Sequence, residues 1–348
     1  KKTYWFVIPA VAFLIFATLV RKNAVVAVVP MCVFIAWRLA PGIRWRVERI
    51  SRQKLNRKIR VRKSVLAALI CAIAVASVTS AALCVDAGIA CHWKVQPTHQ
   101  VYQVILDDVM FSVPESELNG SAVTQELKDK INEARPKCYE KGEPYDAYWN
   151  CYGKGIAGGA YAPIANRDEL KHLWLNYVIA HPMRYLEYRW SVYKFYLTTS
   201  QLEYNPNRLF GIAKKVGFVK GDKRFESIVF SYIHEWAKKD IAFVFKPWFW
   251  LLAGAIVSIC AWWSGRSRAF ALMLTGSAFL YIFAYFPVVP ANHFRYTYWP
   301  ALAVSVAFIA VVAGAVKAWK DRHERAGALH AARDDKPERR VLESVNER

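Results

Sequence analysis

Charge is missing from the places where a soluble fold needs it. The long apolar runs are nearly free of charged residues across their interiors, which excludes the alternating polar face of an ordinary surface helix. Acid is scarce too, with 27 Asp and Glu against 48 Lys and Arg and a formal net charge of +21. No recognition motif accompanies that basic excess, so we expect no nucleic-acid partner. His234-Glu235 lacks a further ligand at zinc spacing. The stretch "GKGIAGG" at 153–159 lacks the full phosphate-loop pattern and reads as a flexible loop. A serine-nucleophile motif is absent. The chain starts Lys1-Lys2 with no initiator methionine and runs at once into two apolar segments. A signal peptide would lead into a soluble domain instead, so the sequence reads as the C-terminal part of a longer membrane protein.

What is present is apolar and aromatic: 55% hydrophobic residues, with 14 Trp, 18 Tyr and 19 Phe. They come in blocks, and blocks signal membrane spans. Six are expected, at 3–20, 24–40, 64–85, 247–263, 269–290 and 297–318. In the second, Arg38 has to snorkel to the surface. The expected fold is therefore mainly α, a polytopic membrane protein of about six transmembrane helices plus an outer α-rich domain. Its parts are 1–85 (three spans and a basic loop at 41–63), an outer domain at 86–246, three spans at 247–318, and a tail at 319–348.

Orientation follows from charge. Ten Lys or Arg against Glu48 alone fill the stretch from Pro41 to Lys63, the mark of a cytoplasmic loop touching anionic membrane lipids. The turn at Arg266 and Arg268 and the tail from Lys317 then lie inside as well. Residues 86–246 lie outside, with 21 basic against 19 acidic residues, as a translocated domain can have. An oxidising periplasm would suit that side. Cys138 and Cys151 bracket a turn-rich loop there and are disulfide candidates; Cys84 and Cys91 can form a second bridge.

Within the outer domain, "VYQVILDDVMFSV" fits a short strand or a helix start. Asn166 stands three residues before Glu169, a capping-box-like helix start, and Pro182 suits the first turn of the next helix. In that next helix Leu186, Trp190, Tyr193 and Leu197 recur on one face, with Arg184, Glu187, Arg189 and Lys194 elsewhere. It reads as an amphipathic helix on the outer membrane interface. "FESIVFSYIHEWAKKDIAFVF" is a further helical stretch leading into the fourth span.

Two basic turns stand against the topology. Arg21-Lys22-Asn23 joins the first two spans outside, and His293 and Arg295 fill the outer turn between the fifth and sixth. Arginine among aromatics such as Tyr296 suits a lipid phosphate, because its planar fork bonds two oxygens at once. Interfacial anchoring explains the same residues equally simply.

The segments "LVRKNAVVAVVP", "LWLNYVIAHPMRYLEYRW" and "HFRYTYWPALA" resemble turns of bacterial inner-membrane proteins related to the GT-C glycosyltransferases, which use polyprenyl-phosphate sugars. The likeness covers roughly the last two thirds of such a protein. It implies a multispan enzyme with a periplasm-facing site and a polyprenyl-phosphate-linked sugar as donor. Arg295, supported by Arg21, Asn23, His293 and Tyr296, would hold the phosphate leaving group. His293 departs from the acidic residue that often precedes the aromatic-arginine-tyrosine run, and the family's usual catalytic carboxylate falls upstream of Lys1.

Asp107-Asp108 is the adjacent acidic pair of the outer domain. It can act as a general base or hold a divalent cation, the one cofactor the sequence leaves open; a solvated turn after a strand explains it as well. His181 can line a site or cap a helix. A transporter or flippase of lipid-linked sugars would share the outer arginines, though it more often carries polar residues in mid-span. A non-catalytic envelope scaffold would tolerate their loss.

Overall fold

A computed structural model describes residues 5–21, 24–54, 63–95, 101–140, 166–200, 202, 214–215, 217, 222–263, 265 and 267–346, with only the backbone described at 40–54, 63–64, 66–67, 140 and 328–346. Asn23, Cys151 and the 153–159 stretch lie outside the described residues. All regular structure among the described residues is helical. Six apolar helices occupy the six expected runs: α1 (Val7–Val20), α2 (Ala24–Lys54), α3 (Lys63–His92) and, after the outer domain, α10 (Pro247–Trp263), α11 (Arg268–Ala284) and α12 (Tyr298–Asn346). Two stretches, Ala68–His92 and Tyr298–Gly327, are long and apolar enough to cross a membrane; four more apolar helices are shorter.

Several ends differ from expectation for one reason. The basic stretch after Ala40 is not a loop up to Lys54 but a continuation of α2, and the tail continues α12 to Asn346. Arg, Lys, Glu and Ala are all good helix formers, so losing hydrophobicity does not stop the helix. Conversely α11 stops at Ala284, before the run's hydrophobicity ends, because Pro287 and Pro290 cannot continue it. The outer turn is therefore longer, from Tyr285 to Thr297.

The apolar helices pack through small residues. Ala261, Ala271, Ala278, Ala303 and Ala307 are buried where α10, α11 and α12 meet. Ala and Gly at such contacts let backbones approach closely. At Gly254 on α10 a Cβ would sit 2.8 Å from the Phe279 ring and 3.3 Å from Val304. Hydroxyls stitch the same bundle: Ser258 donates to Thr275 at 2.8 Å, and Ser277 donates to the Ala27 carbonyl at 2.6 Å while accepting from Trp299 at 3.0 Å. Large apolar side chains such as Phe13, Ile73, Trp263 and Ile309 remain exposed on the outside.

The outer domain is built from α4 (Val101–Ser112), α5 (Glu115–Gly120), α6 (Gln125–Glu140), α7 (Arg167–Leu173) and α8 (Pro182–Thr199). α7 runs on into a π-helical turn, Trp174–Val178. Leu106, Met110, Leu118, Leu127, Ile131, Leu170 and Leu173 form its core. Buried polar groups close the helix ends: Arg135 of α6 donates to the Met110 and Val113 carbonyls at 2.8 and 2.9 Å, satisfying the end of α4. Asn166 is the N-cap residue of α7, as expected, but the capping bond is rearranged: its amide donates to Glu169 at 2.9 Å, and Glu169 also accepts from the Thr124 backbone N–H at 2.7 Å. Those bonds hold the Glu169 carboxyl below the usual range.

Of the two readings left open for "VYQVILDDVMFSV", the chain adopts the helix, α4. Two further expectations are corrected. Cys84 and Cys91 are free and exposed. Seven residues apart on one helix, they sit about 10 Å from each other, beyond disulfide reach. Cys138 is disulfide-bonded and buried beside Met110, while its expected partner Cys151 is not among the described residues. Last, the helix before the fourth span is broken into α9 (Lys223–Ser231), a π-helical turn to Ala237 and a short 3-10 turn at Ala242–Phe245.

Candidate functional site

The site forms where α1 ends. Arg21 is the C-cap residue of α1, in extended conformation, so its side chain leaves the helix axis toward the turn between α11 and α12. There its Nη1 donates to the Tyr281 hydroxyl at 3.1 Å and to the backbone oxygen of Arg295 at 2.5 Å. The guanidinium carbons of Arg21 and Arg295 each lie 5.1 Å from the centre of the Tyr296 ring. Arg295 also donates to the Tyr296 hydroxyl at 3.0 Å. The His293 ring is 6.1 Å from the same ring. Residues from two expected turns, far apart in sequence, thus share one aromatic support. Neither arginine pairs with a carboxylate among the described residues.

Both arginines and His293 line an apolar cavity of about 1000 Å³. Phe13, Phe16, Met31 and Trp299 form part of its wall. Phe13 precedes Arg21 by two helical turns, so the cavity runs roughly 12 Å down α1 from its basic end. No carboxylate is among its lining residues. Tyr296 is buried and serves as the platform for the cations rather than part of the wall. The Tyr281, Tyr196, Phe13 and Phe16 side chains belong to this arrangement and were not anticipated. Tyr281 and Tyr285, four apart in an apolar run, were the available sign.

The outer domain grips the turn through α8. Tyr193 donates to the Ile282 carbonyl at 3.3 Å, Tyr196 to the Tyr296 carbonyl at 3.2 Å, and Arg189 to the Val289 carbonyl at 3.4 Å. Asn292 reaches back to the Thr199 carbonyl at 3.2 Å and to its hydroxyl at 3.0 Å. Burial pushes the Tyr193 and Tyr196 phenols well above their ordinary value, so both remain protonated donors.

Asp107 and Asp108 lie elsewhere. Both are buried on α4, and Asp108 Oδ1 is 2.6 Å from Arg189 Nε while its Oδ2 accepts from the Trp174 indole at 2.9 Å. The Asp108–Arg189 contact is a close ion pair without good hydrogen-bond alignment. Burial raises the Asp108 carboxyl, opposed by Arg189; burial also works against Arg189, and Asp108 more than offsets it. The pair is an internal tie between α4 and α8, away from the cavity wall. It also corrects the place of Arg189, expected among the polar positions of α8 but 1% exposed; on the expected apolar face Tyr193 is buried, while Leu186 and Trp190 are exposed at 42% and 55%. His181 precedes α8 without a side-chain cap bond, and its ring is 4.0 Å from Glu117, which makes a bidentate pair with Arg184 at 2.9 and 3.1 Å. His234 packs against Phe230 at 4.2 Å. Among the described residues no group of three His, Cys, Asp or Glu could hold a metal ion. Compared with known proteins, the chain matches no family model, no curated protein and no solved structure.

Proposed function

We propose that the cavity binds a polyprenyl-phosphate-linked sugar, and that the protein transfers the sugar to a cell-envelope glycan or lipid on the periplasmic side of a bacterial inner membrane. One observation carries the reading: two arginines without carboxylate partners among the described residues stand at one end of a large apolar cavity. A phosphate supplies the missing countercharge, and each guanidinium can offer it two parallel donors. The prenyl chain lies against Phe13, Phe16 and Met31, where apolar burial adds about 25 cal/mol per Å². As the sugar leaves, negative charge grows on the phosphate oxygens, and cations fixed beforehand stabilise it there.

In this reading all six apolar helices span the membrane, the shorter ones at the lower limit of length. The basic end of α2 faces the cytoplasm, and Arg21, Arg295 and the outer domain face the periplasm. The base that activates the acceptor hydroxyl comes from outside the cavity wall described above.

That last point favours a second reading. A flippase or transporter of lipid-linked sugars needs the arginines and the apolar wall but no carboxylate, and among the described residues none lines the cavity. Transfer of labelled sugar from a polyprenyl-phosphate donor, in membranes carrying the protein, separates the two. Transfer that falls by roughly 100-fold in Arg295→Ala supports the enzyme. Donor binding and translocation without transfer support the transporter, and transfer indifferent to Arg295 refutes the assignment of the site.

A further inference from the structure

We propose that the cleft between the end of α4, α6 and α8 is a saccharide-binding site on the outer domain. The cleft encloses about 490 Å³ and shares no lining residue with the lipid cavity. The inference therefore stands whether or not the cavity holds a lipid-linked sugar.

Its walls have the mixed character that a sugar needs. Phe111 stacks on Tyr188 with ring centres 5.3 Å apart, and Tyr139 meets Phe111 edge-on at 5.8 Å. Tyr139 is 54% exposed, so its ring is open to a ligand's apolar face. Around these rings stand Ser112, Arg135 and Glu187. The Ser112 residue is 6% exposed, and its hydroxyl is buried with no hydrogen-bond partner. A buried hydroxyl left unpaired is costly, and a rotation of this side chain toward the cleft would let a ligand oxygen answer it. Arg135 spends Nε and Nη2 on the Met110 and Val113 carbonyls, which leaves its Nη1 toward other acceptors. Glu187 is exposed and forms no ion pair among the described residues, whereas Arg184 beside it is committed to Glu117.

Donors and acceptors thus alternate around an aromatic surface. Arg135 and Glu187 offset each other's charge across the cleft, so charge alone selects no simple ion, and an apolar ligand would strip water from both without replacing it. A pyranose presents C–H faces to the rings and hydroxyls, each both donor and acceptor, to the edge.

The test uses the full chain in detergent micelles and saturation-transfer NMR with maltose, cellobiose and diacetylchitobiose as probes. We expect magnetisation transfer to at least one of them, weakened by roughly tenfold in apparent affinity in Tyr139→Ala and in Glu187→Gln. Both residues are exposed, and circular dichroism checks that the variants remain folded. Gly276→Ala, which lines neither this cleft nor the lipid cavity, leaves sugar binding unchanged. Absence of transfer to all three sugars, or binding undiminished in both variants, overturns the proposal.

Discussion

Arg21 donates to the backbone oxygen of Arg295 at 2.5 Å, joining the end of the first helix to the turn before the last. Two like charges are thereby brought to the ring of Tyr296, 5.1 Å from each, with no acid among the described residues paired to either. Like charges held together cost free energy unless something answers them. An anion at that position is the simplest answer, and it is open to experiment.

Arg21→Lys keeps the charge but loses the planar guanidinium, whose Nη1 is held by Tyr281 and the Arg295 carbonyl while its other N–H groups can meet a phosphate in parallel. We expect weakened binding of a polyprenyl phosphate, by about tenfold, with little change in helix content. Affinity measured by displacement of a labelled prenyl phosphate reads this directly; equal affinity in Lys and Arg forms would remove the need for a fork.

The Asp108–Arg189 pair predicts a thermodynamic cycle. Arg189→Met leaves a buried carboxylate without its cation and costs about 3–5 kcal/mol, while the double change Asp108→Asn with Arg189→Met costs less than the sum. The single variant also recovers stability as pH falls, because burial has already raised the Asp108 carboxyl and protonation removes its charge. Thermal melts at several pH values check both points.

Glu169 gives the opposite pH dependence. Its folded carboxyl titrates below the ordinary glutamate value of 4.5, so its contribution is present above that value and lost as pH falls through the folded one. In Glu169→Gln this acid-side loss should shrink; an unchanged melting curve between pH 3 and 5, compared with the native chain, would show that the carboxylate bonds to Thr124 and Asn166 add nothing.

Gly254 has no room for a side chain against Phe279 and Val304. Gly254→Val should push α10 from α11 and α12 and destabilise the bundle by about 1–3 kcal/mol. Gly276→Ala on α11, where a Cβ meets nothing within 4 Å, serves as the control. Unfolding in a denaturing detergent, followed by tryptophan fluorescence, compares the two.

Cys138 sits in the core of the outer domain and is disulfide-bonded. Reductant should lower the melting temperature of that domain, corresponding to about 2–4 kcal/mol. The transition of the apolar helices should move less.

The apolar helices were legible because hydrophobicity alone specifies them, and their ends were not because helix propensity outlasts hydrophobicity in α2 and α12. The arginines at 21 and 295 could be picked out as charges at span ends. Their meeting on Tyr296 could not, since it depends on where α11 stops. α8 misled for a different reason. Aromatic and basic residues alternate around it, so periodicity offers several faces, and only the distant Asp108 decides that Arg189 turns inward. The π-helical turns at Trp174–Val178 and Tyr232–Ala237 carry no composition of their own.

Tyr193 of α8 bonds to the Ile282 carbonyl at the end of α11, and Tyr196 meets both the Tyr296 carbonyl and the Thr297 hydroxyl. The frame that carries the Arg295 side chain is thus clasped from the outer domain on both sides of the turn. If the proposed lipid phosphate binds here, it meets cations whose places α8 has already fixed, and selectivity becomes a matter of reach: the length from headgroup charge to apolar chain would have to match the depth between Arg295 and Phe13.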